Sequence, residues 1–534
     1  MLHGVEQYLI EGEGILAGPL LPAALRLARA VPQPSEPQMG QRAADPFITP
    51  EKRLLAPPQL FCRLFGKGRQ PDAAALIELG LAMETEQDVI TDPNSSIPAG
   101  YTYLGQFIDH DITFDKTALT RTGAADPVAV PNIRTPSLDL DSLYGGGPAI
   151  SPQLYEPDGV RLRVGMCVES RDGDDNIVPA IPNDLPRENR KAIIADPRND
   201  ENLAVAQLHL AFIKFHNSFV DQLAASFPTL PAEQVFARAR AETIRHYQMI
   251  VLRDFLPRIV DPNAIQQVLL YGHTIYSHAQ HHLMPVEFSA AAYRFGHSMV
   301  RPVYDWNRVF HQHEGAVAAA TLDLLFEFTQ FSGSAPGDEL PFFGQGEELP
   351  SNWAVDWRLL FDVDENPPPE FFVVNRARKI DTNLALSLKS LPEFLAMGVT
   401  DPALLSLASR NLLRGRLLSL PHGIQVAETI VATGLPHETL TLDQLRGGPH
   451  GPTLERVGLL ETPPLWYYIL REAELNGGEP LGPVGSRIVA ETIVALIRNA
   501  DVSILAGPAP IGLAEIPRFT MSDMLRQVND LAPV

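Results

Sequence analysis

Residues Gly105 to Asp111, reading GQFIDHD, place Gln106, Asp109 and His110 on one face of a helix, because positions i, i+3 and i+4 stack along its axis. The surrounding positions Tyr103, Leu104, Phe107 and Ile108 are apolar, so the fold turns the segment inward. A buried polar group without a partner costs about 1–3 kcal/mol. Any fold for this chain must therefore supply an interior partner for an amide, a carboxylate and an imidazole together. Taken alone, His110 is more simply a satisfied core histidine than a reactive one.

The pattern around that segment is mainly helical. Periodicity predicts helices over Ala73–Glu84, Tyr101–Phe114, Glu201–Ser226, Ala232–Phe255, Ser289–Val300, Val317–Phe331, Pro402–Leu420, Leu465–Asn476 and Val484–Ile497, with strand signals short and few. Pro228, Pro257, Pro302, Pro421 and Gly477 punctuate them. Although 534 residues would suggest several domains, no Gly/Ser tract, like-charge run or repeat marks a boundary. The expectation is an N-terminal arm over residues 1–50, rich in Pro, Gly and Ala, followed by one large helical domain over 51–534.

The formal charge of −22 argues against nucleic acid, anionic membrane or a large anionic polymer as partner. Two cysteines, Cys62 and Cys167, allow either two free thiols or a single bridge, and no disulfide framework. No run of apolar residues is long enough to predict a transmembrane span. The apolar stretch Ile15–Leu25 follows Glu6, Glu11 and Glu13 rather than basic residues and contains Pro19 and Pro22, so it does not read as a cleaved secretory signal. A cytoplasmic chain and export by another route both fit.

Three further segments follow GQFIDHD: ADPRNDEN (Ala195–Asn202), AAYRFGHSMVRP (Ala291–Pro302) and RNLLRGR (Arg410–Arg416). In this order, over about residues 50–505, they resemble the animal-type haem peroxidases of the peroxidase-cyclooxygenase superfamily, and bacterial members in particular. The resemblance implies a single mainly α haem-peroxidase domain that binds haem b, reduces hydrogen peroxide and oxidises a small electron donor.

Peroxide chemistry needs a group that carries a proton between the two oxygens and a positive charge that stabilises the leaving oxygen. The resemblance assigns these roles to His110 and Arg198, and gives Gln106 a hydrogen bond to distal water or halide. Asp109 and Glu201 stand where the family forms ester bonds to haem methyl groups; pairing with arginines is the plainer alternative. Asn202 occupies the position of the methionine that makes a sulfonium link in myeloperoxidase. No such link can form here, which points away from chloride and toward iodide, bromide, thiocyanate or phenols.

On the proximal side, His297 matches the iron ligand and Asn411 its acceptor partner, which would raise ligand basicity. Arg294 and Arg414 resemble the arginines that hold the haem propionates, a bidentate contact. In TPSLDLDSLYG, Thr135–Gly145, the residues Thr135, Ser137, Asp139 and Asp141 join Asp111 in an oxygen-rich set that suits Ca2+ and has the spacing of the family's calcium loop. Asp141 replaces the usual serine, and Ser137 would give only its carbonyl. Because Asp111 follows His110, the cation would position the distal histidine. His273, His278, His281 and His282 fit no zinc spacing and read as loop residues.

Two rival functions fit the sequence less well. A fatty-acid oxygenase of the same superfamily uses a tyrosine three residues before the proximal histidine; here that position is Arg294, and the adjacent Tyr293 is expected on another side of its helix. A haem-binding adhesion protein without turnover would have no need of Gln106, His110, Arg198, His297 and Asn411 together. Thr113 and Asp115 depart from the family's pattern near a propionate. Loops Gly333–Asn352 and Arg446–Gly451 are expected to set substrate access, and no heptad pattern specifies an oligomer.

Overall fold

Leu203–Ser226 is apolar along most of its length, and helices Gly100–Ile112 and Ala232–Ile250 pack against it. Asn202 starts it, its Oδ1 accepting from Val205 N at 3.0 Å. Phe212 on this helix stacks on Phe107 of the helix Gly100–Ile112, with ring centroids 4.7 Å apart. Helix Ala73–Met83 lies against Leu407–Leu417, and a Cβ on Gly80 would fall 2.6 Å from Ser409 N, so the close approach needs glycine there. In the same way Gly423 brings helix Gly423–Ala432 onto Tyr468 of helix Leu465–Leu475.

These features come from a computed structural model that describes residues 59–85, 94–114, 131–277, 283–329, 348–363, 368, 372–389, 399–435, 437–507 and 511–532. The expected arm over 1–50 lies outside them, as do Asp115, His278, His281, His282 and most of the loop 333–352. The architecture is mainly α with short strands, and one buried apolar cluster extends from Phe61 to Leu525. Gln59–Cys62 pairs antiparallel with Pro131–Asn132 (Gln59 opposite Asn132) and parallel with Met284–Pro285 (Phe61 opposite Met284). Among the described residues no helix is long and apolar enough to cross a membrane. Cys62 and Cys167 are both buried and unpaired, so the possible bridge is not formed.

The helices depart from their predicted bounds where side chains or prolines take over backbone groups. Ala232–Ile250 runs into a wider π turn, Val251–Phe255, just ahead of Pro257, whose ring and missing N–H oppose a continued α ladder. Pro402–Leu405 ends at Ser406, whose side chain accepts from Ser409 N at 3.0 Å and starts Leu407–Leu417. The predicted helix Val317–Phe331 is a strand, Ala320–Thr321, paired with Val303–Tyr304, then a short helix Leu322–Glu327 capped by Thr321.

One buried pair carries a pH dependence. Glu472 accepts from Val484 N at 2.9 Å and lies 3.7 Å from His437. Burial pushes the Glu472 carboxyl up to about 8 and lowers His437. The unfolded carboxyl ionises near its ordinary value of about 4.3, so between there and about 8 the folded chain holds a proton that the unfolded chain has lost, and stability falls as pH rises. Glu472→Gln, which keeps the acceptor, is expected to flatten that slope and to stabilise the protein at pH 8 by on the order of 1–3 kcal/mol, read from urea unfolding at pH 5 and pH 8.

Candidate active site

Asn132 fixes the end of helix Gly100–Ile112: its Nδ2 donates to Ile112 O at 2.9 Å and its Oδ1 accepts from Phe114 N at 2.7 Å. That helix carries Gln106, Asp109 and His110 to a cleft holding about 230 Å³ of water-accessible space within about 1530 Å³ of open volume. The cleft is also lined by Arg198, Glu201, Tyr293, Arg294, His297 and Arg414. Eight of the sequence-predicted residues, drawn from four separate segments, thus border one space. Asn411 stands behind it, against His297. The loop Arg446–Gly451 does not line it.

His110 is buried, with its Nδ1 2.8 Å from Asn199 Oδ1. The Asn199 amide nitrogen faces His209 Nδ1 at 2.9 Å, which fixes the amide's direction. The network therefore assigns the proton to His110 Nδ1 and leaves Nε2 as an acceptor. Burial, reinforced by the Arg198 charge, lowers the imidazole to about 3, so it is neutral near pH 7.

Asp196 organises the arginines. It caps the turn Pro197–Asp200, receives Arg198 Nε at 3.0 Å and Arg198 NH2 at 2.7 Å, and receives Arg134 NH2 at 2.6 Å. Flanked by two guanidinium groups, its carboxyl is held far below the usual range despite burial. Arg198 also donates to His110 O at 3.0 Å and Thr113 O at 2.8 Å and lies over the Phe114 ring. Asn199, His209, Arg134 and Asp196 were missed as site residues. Asn199 and Asp196 lie within ADPRNDEN, but nothing in spacing alone separates a buttress from a capping residue.

Gln106 bridges two neighbours, donating to Glu201 Oε1 and accepting from Asn202 Nδ2 at 3.1 Å. Asp109 accepts from Thr113 Oγ1 at 2.9 Å. Tyr293, expected to face away, lines the cleft; its buried hydroxyl has no hydrogen-bond partner among the described residues.

His297 sits on a 3-10 turn, Ala292–Met299, rather than the expected α-helix. Side chains occupy the carbonyls an α ladder would use: Arg294 Nε donates to Ser289 O at 3.0 Å and Trp466 Nε1 to Arg294 O at 3.2 Å. A 3-10 turn stacks positions i and i+3, so Arg294 and His297 share a face. Arg294 NH1 donates to Asn411 Oδ1 at 2.5 Å, which leaves the Asn411 amide nitrogen 2.7 Å from His297 Nδ1. Asn411 is thus the donor in this arrangement, not the acceptor the sequence predicts. A metal on Nε2 leaves the proton on Nδ1 and would require the amide to turn over.

Asp111, Asp139 and Asp141 form a second cluster, with one oxygen of each within 4.8 Å of the others. Thr135 Oγ1 lies 3.2 Å from Asp139 Oδ1 and 3.0 Å from Asp141 Oδ2. Ser137, in the same loop, has a buried Oγ without a hydrogen-bond partner among the described residues. Burial, with the Asp141 charge, pushes Asp111 up to about 7. Arg134 spans from Asp141, at 3.4 Å, to Asp196, joining this cluster to Arg198. Of the expected histidine cluster only His273 is described, its Nε2 3.0 Å from Glu491 O.

Residues 118–332 match the family model for the animal haem peroxidase domain. Human thyroid peroxidase is 28% identical over 191 residues, 34% of this chain and 20% of that protein. The chain spans less than half the length of the thyroid peroxidases it matches. Among solved structures, peroxidase A from Dictyostelium discoideum superposes with a TM-score of 0.59 at 17% identity, covering 89% of this chain and 94% of that one. A fatty acid alpha-dioxygenase from Arabidopsis thaliana gives 0.61 at 14%, covering 96% and 86%. Residues 118–332 are thus similar to the animal haem peroxidase domain, and the chain shares the overall fold of these solved structures.

Proposed function

We propose that this protein is a haem-dependent peroxidase that reduces hydrogen peroxide and oxidises a halide, a pseudohalide or a small phenol. The observation that carries the reading is the pairing, in one cleft, of a neutral His110 with a free Nε2, the fixed Arg198 and the Asn411-backed His297.

The residues suit haem b. His297 would be the iron ligand, Arg294 and Arg414 would meet the propionates, and Asp109 and Glu201 border the cleft where ester links would form. The haem would supply the electrons that reduce peroxide. His110 Nε2 takes the proton from the bound peroxide and returns it to the departing oxygen, while the Arg198 guanidinium stabilises the charge developing there. Gln106, held between Glu201 and Asn202, orients water or halide beside them. Asn202 stands where the resemblance places a sulfonium-forming methionine and cannot make that link, which supports iodide, bromide, thiocyanate or phenols rather than chloride as donors.

We further propose Ca2+ at Asp111, Asp139 and Asp141 with Thr135 and the Ser137 carbonyl. Three converging carboxylates suit a hard cation, which would relieve the repulsion that raises Asp111.

The peroxidase reading is tested by haem retention under SDS or acid-acetone, before and after hydrogen peroxide. Haem is expected to stay with the wild-type chain after turnover and to be released from an Asp109→Val, Glu201→Gln double variant. Release from the wild type after turnover would remove the ester links; absence of haem in the isolated protein would remove the whole reading.

A further inference from the structure

Behind the helix Leu407–Leu417, on the side away from the central cleft, lies a second cavity with about 260 Å³ of water-accessible space within about 990 Å³ of open volume. The two spaces share only Ala290 among their lining residues. Leu76, Leu412, Leu459 and Trp466 supply apolar wall. A cavity of about 150 Å³ accepts benzene, so this one admits a single ring with one or two polar substituents.

The charged groups at this cavity are Arg69, Arg416 and Asp72. Arg69 is exposed and has no hydrogen-bond or ion-pair partner among the described residues. Arg416 Nε donates to Pro71 O at 3.0 Å, and Asp72 accepts from Ala75 N at 3.3 Å as a helix cap. His422, also lining, accepts from Gln425 N, and burial lowers its imidazole. The rim is therefore net positive on a chain of charge −22, which favours one small anion over the solvent-facing surface elsewhere.

Trp466 joins this cavity to the central cleft. Its Nε1 donates to Arg294 O at 3.2 Å, Arg294 NH1 donates to Asn411 Oδ1 at 2.5 Å, and the Asn411 amide nitrogen lies 2.7 Å from His297 Nδ1. We propose that the cavity binds a small aromatic carboxylate that also carries a phenol, and that Trp466 passes its electrons toward His297. The binding stands by itself; the electron route rests on the peroxidase reading.

In that route the phenol gives one electron to an oxidised Trp466 indole and its hydroxyl proton to solvent at the mouth, leaving a phenoxyl radical. Two such donors balance one hydrogen peroxide, which takes two electrons and two protons to form two waters.

The test is calorimetric titration of 4-hydroxybenzoate into the holoprotein at low salt, with iodide oxidation measured on the same samples. One molecule is expected to bind per chain, at least fivefold more weakly in Arg69→Gln and at least tenfold more weakly in Ala75→Phe, which fills the cavity. The ratio of 4-hydroxybenzoate turnover to iodide turnover is expected to fall at least tenfold in Trp466→Phe. No binding, or binding indifferent to both cavity variants, overturns the site, and an unchanged ratio overturns the electron route. A wild-type protein that binds 4-hydroxybenzoate but, given hydrogen peroxide, oxidises neither it nor iodide loses the peroxidase reading and the route together, while the site stands.

Discussion

His110→Leu is expected to lower kcat/KM for hydrogen peroxide by about 10³-fold, within the range of roughly 10²–10⁴ for loss of a positioned proton carrier, without lowering haem content. The reason is the direction of the imidazole. Asn199 holds Nδ1 and leaves Nε2 toward the cleft, so the variant removes the one neutral nitrogen placed to move the proton while keeping His297. Rapid-mixing measurement of the reaction with peroxide checks this directly. A variant that reacts within fivefold of the wild type would assign the proton transfer to another group.

Removal of the proposed Ca2+ from Asp111, Asp139 and Asp141 is expected to destabilise the folded chain. A cation at about 1,000 times its dissociation constant contributes about 4 kcal/mol to the folded state. EGTA should therefore lower Tm by several degrees, and Asp139→Ala should reproduce the shift and no longer respond to EGTA. Slower peroxide reduction should accompany it. Asp111 is the next residue after His110 and accepts from Leu140 N at 3.1 Å, while Arg134 connects Asp141 to the Asp196 that fixes Arg198. Differential scanning fluorimetry with matched Ca2+ and EGTA samples separates the outcomes; identical melting curves would leave the acidic loop without a cation.

How much of this was legible in the sequence depended on whether a local pattern or a tertiary contact decided the matter. Long amphipathic segments such as Leu203–Ser226 and Pro483–Asn499 appear close to their predicted bounds, because burial of one apolar stripe rewards the α period over the whole length. The segment around His297 reads as α-helical yet forms a 3-10 turn, because Trp466, far along the chain, takes the carbonyl of Arg294. Val317–Phe331 splits because Ala320–Thr321 finds a strand partner at Val303–Tyr304.

The site shows the same division. The motifs carried Gln106, His110, Arg198 and His297 to one cleft, but not the direction of an amide. Asn411 turns its nitrogen to His297 because Arg294 already holds its oxygen, a choice between two distant segments that no spacing encodes. Asn199 and His209 were missed for a like reason, since each acts through His110 rather than through a motif of its own.

The measurement that bears most directly on the central claim is the absorption spectrum and pyridine haemochromogen stoichiometry of the purified protein titrated with haemin, for the wild type and His297→Ala. One haem b per chain, with a histidine-ligated spectrum that the wild type shows and His297→Ala loses, is the expected result. Failure to bind haem stoichiometrically, or a spectrum indifferent to His297, would contradict the account.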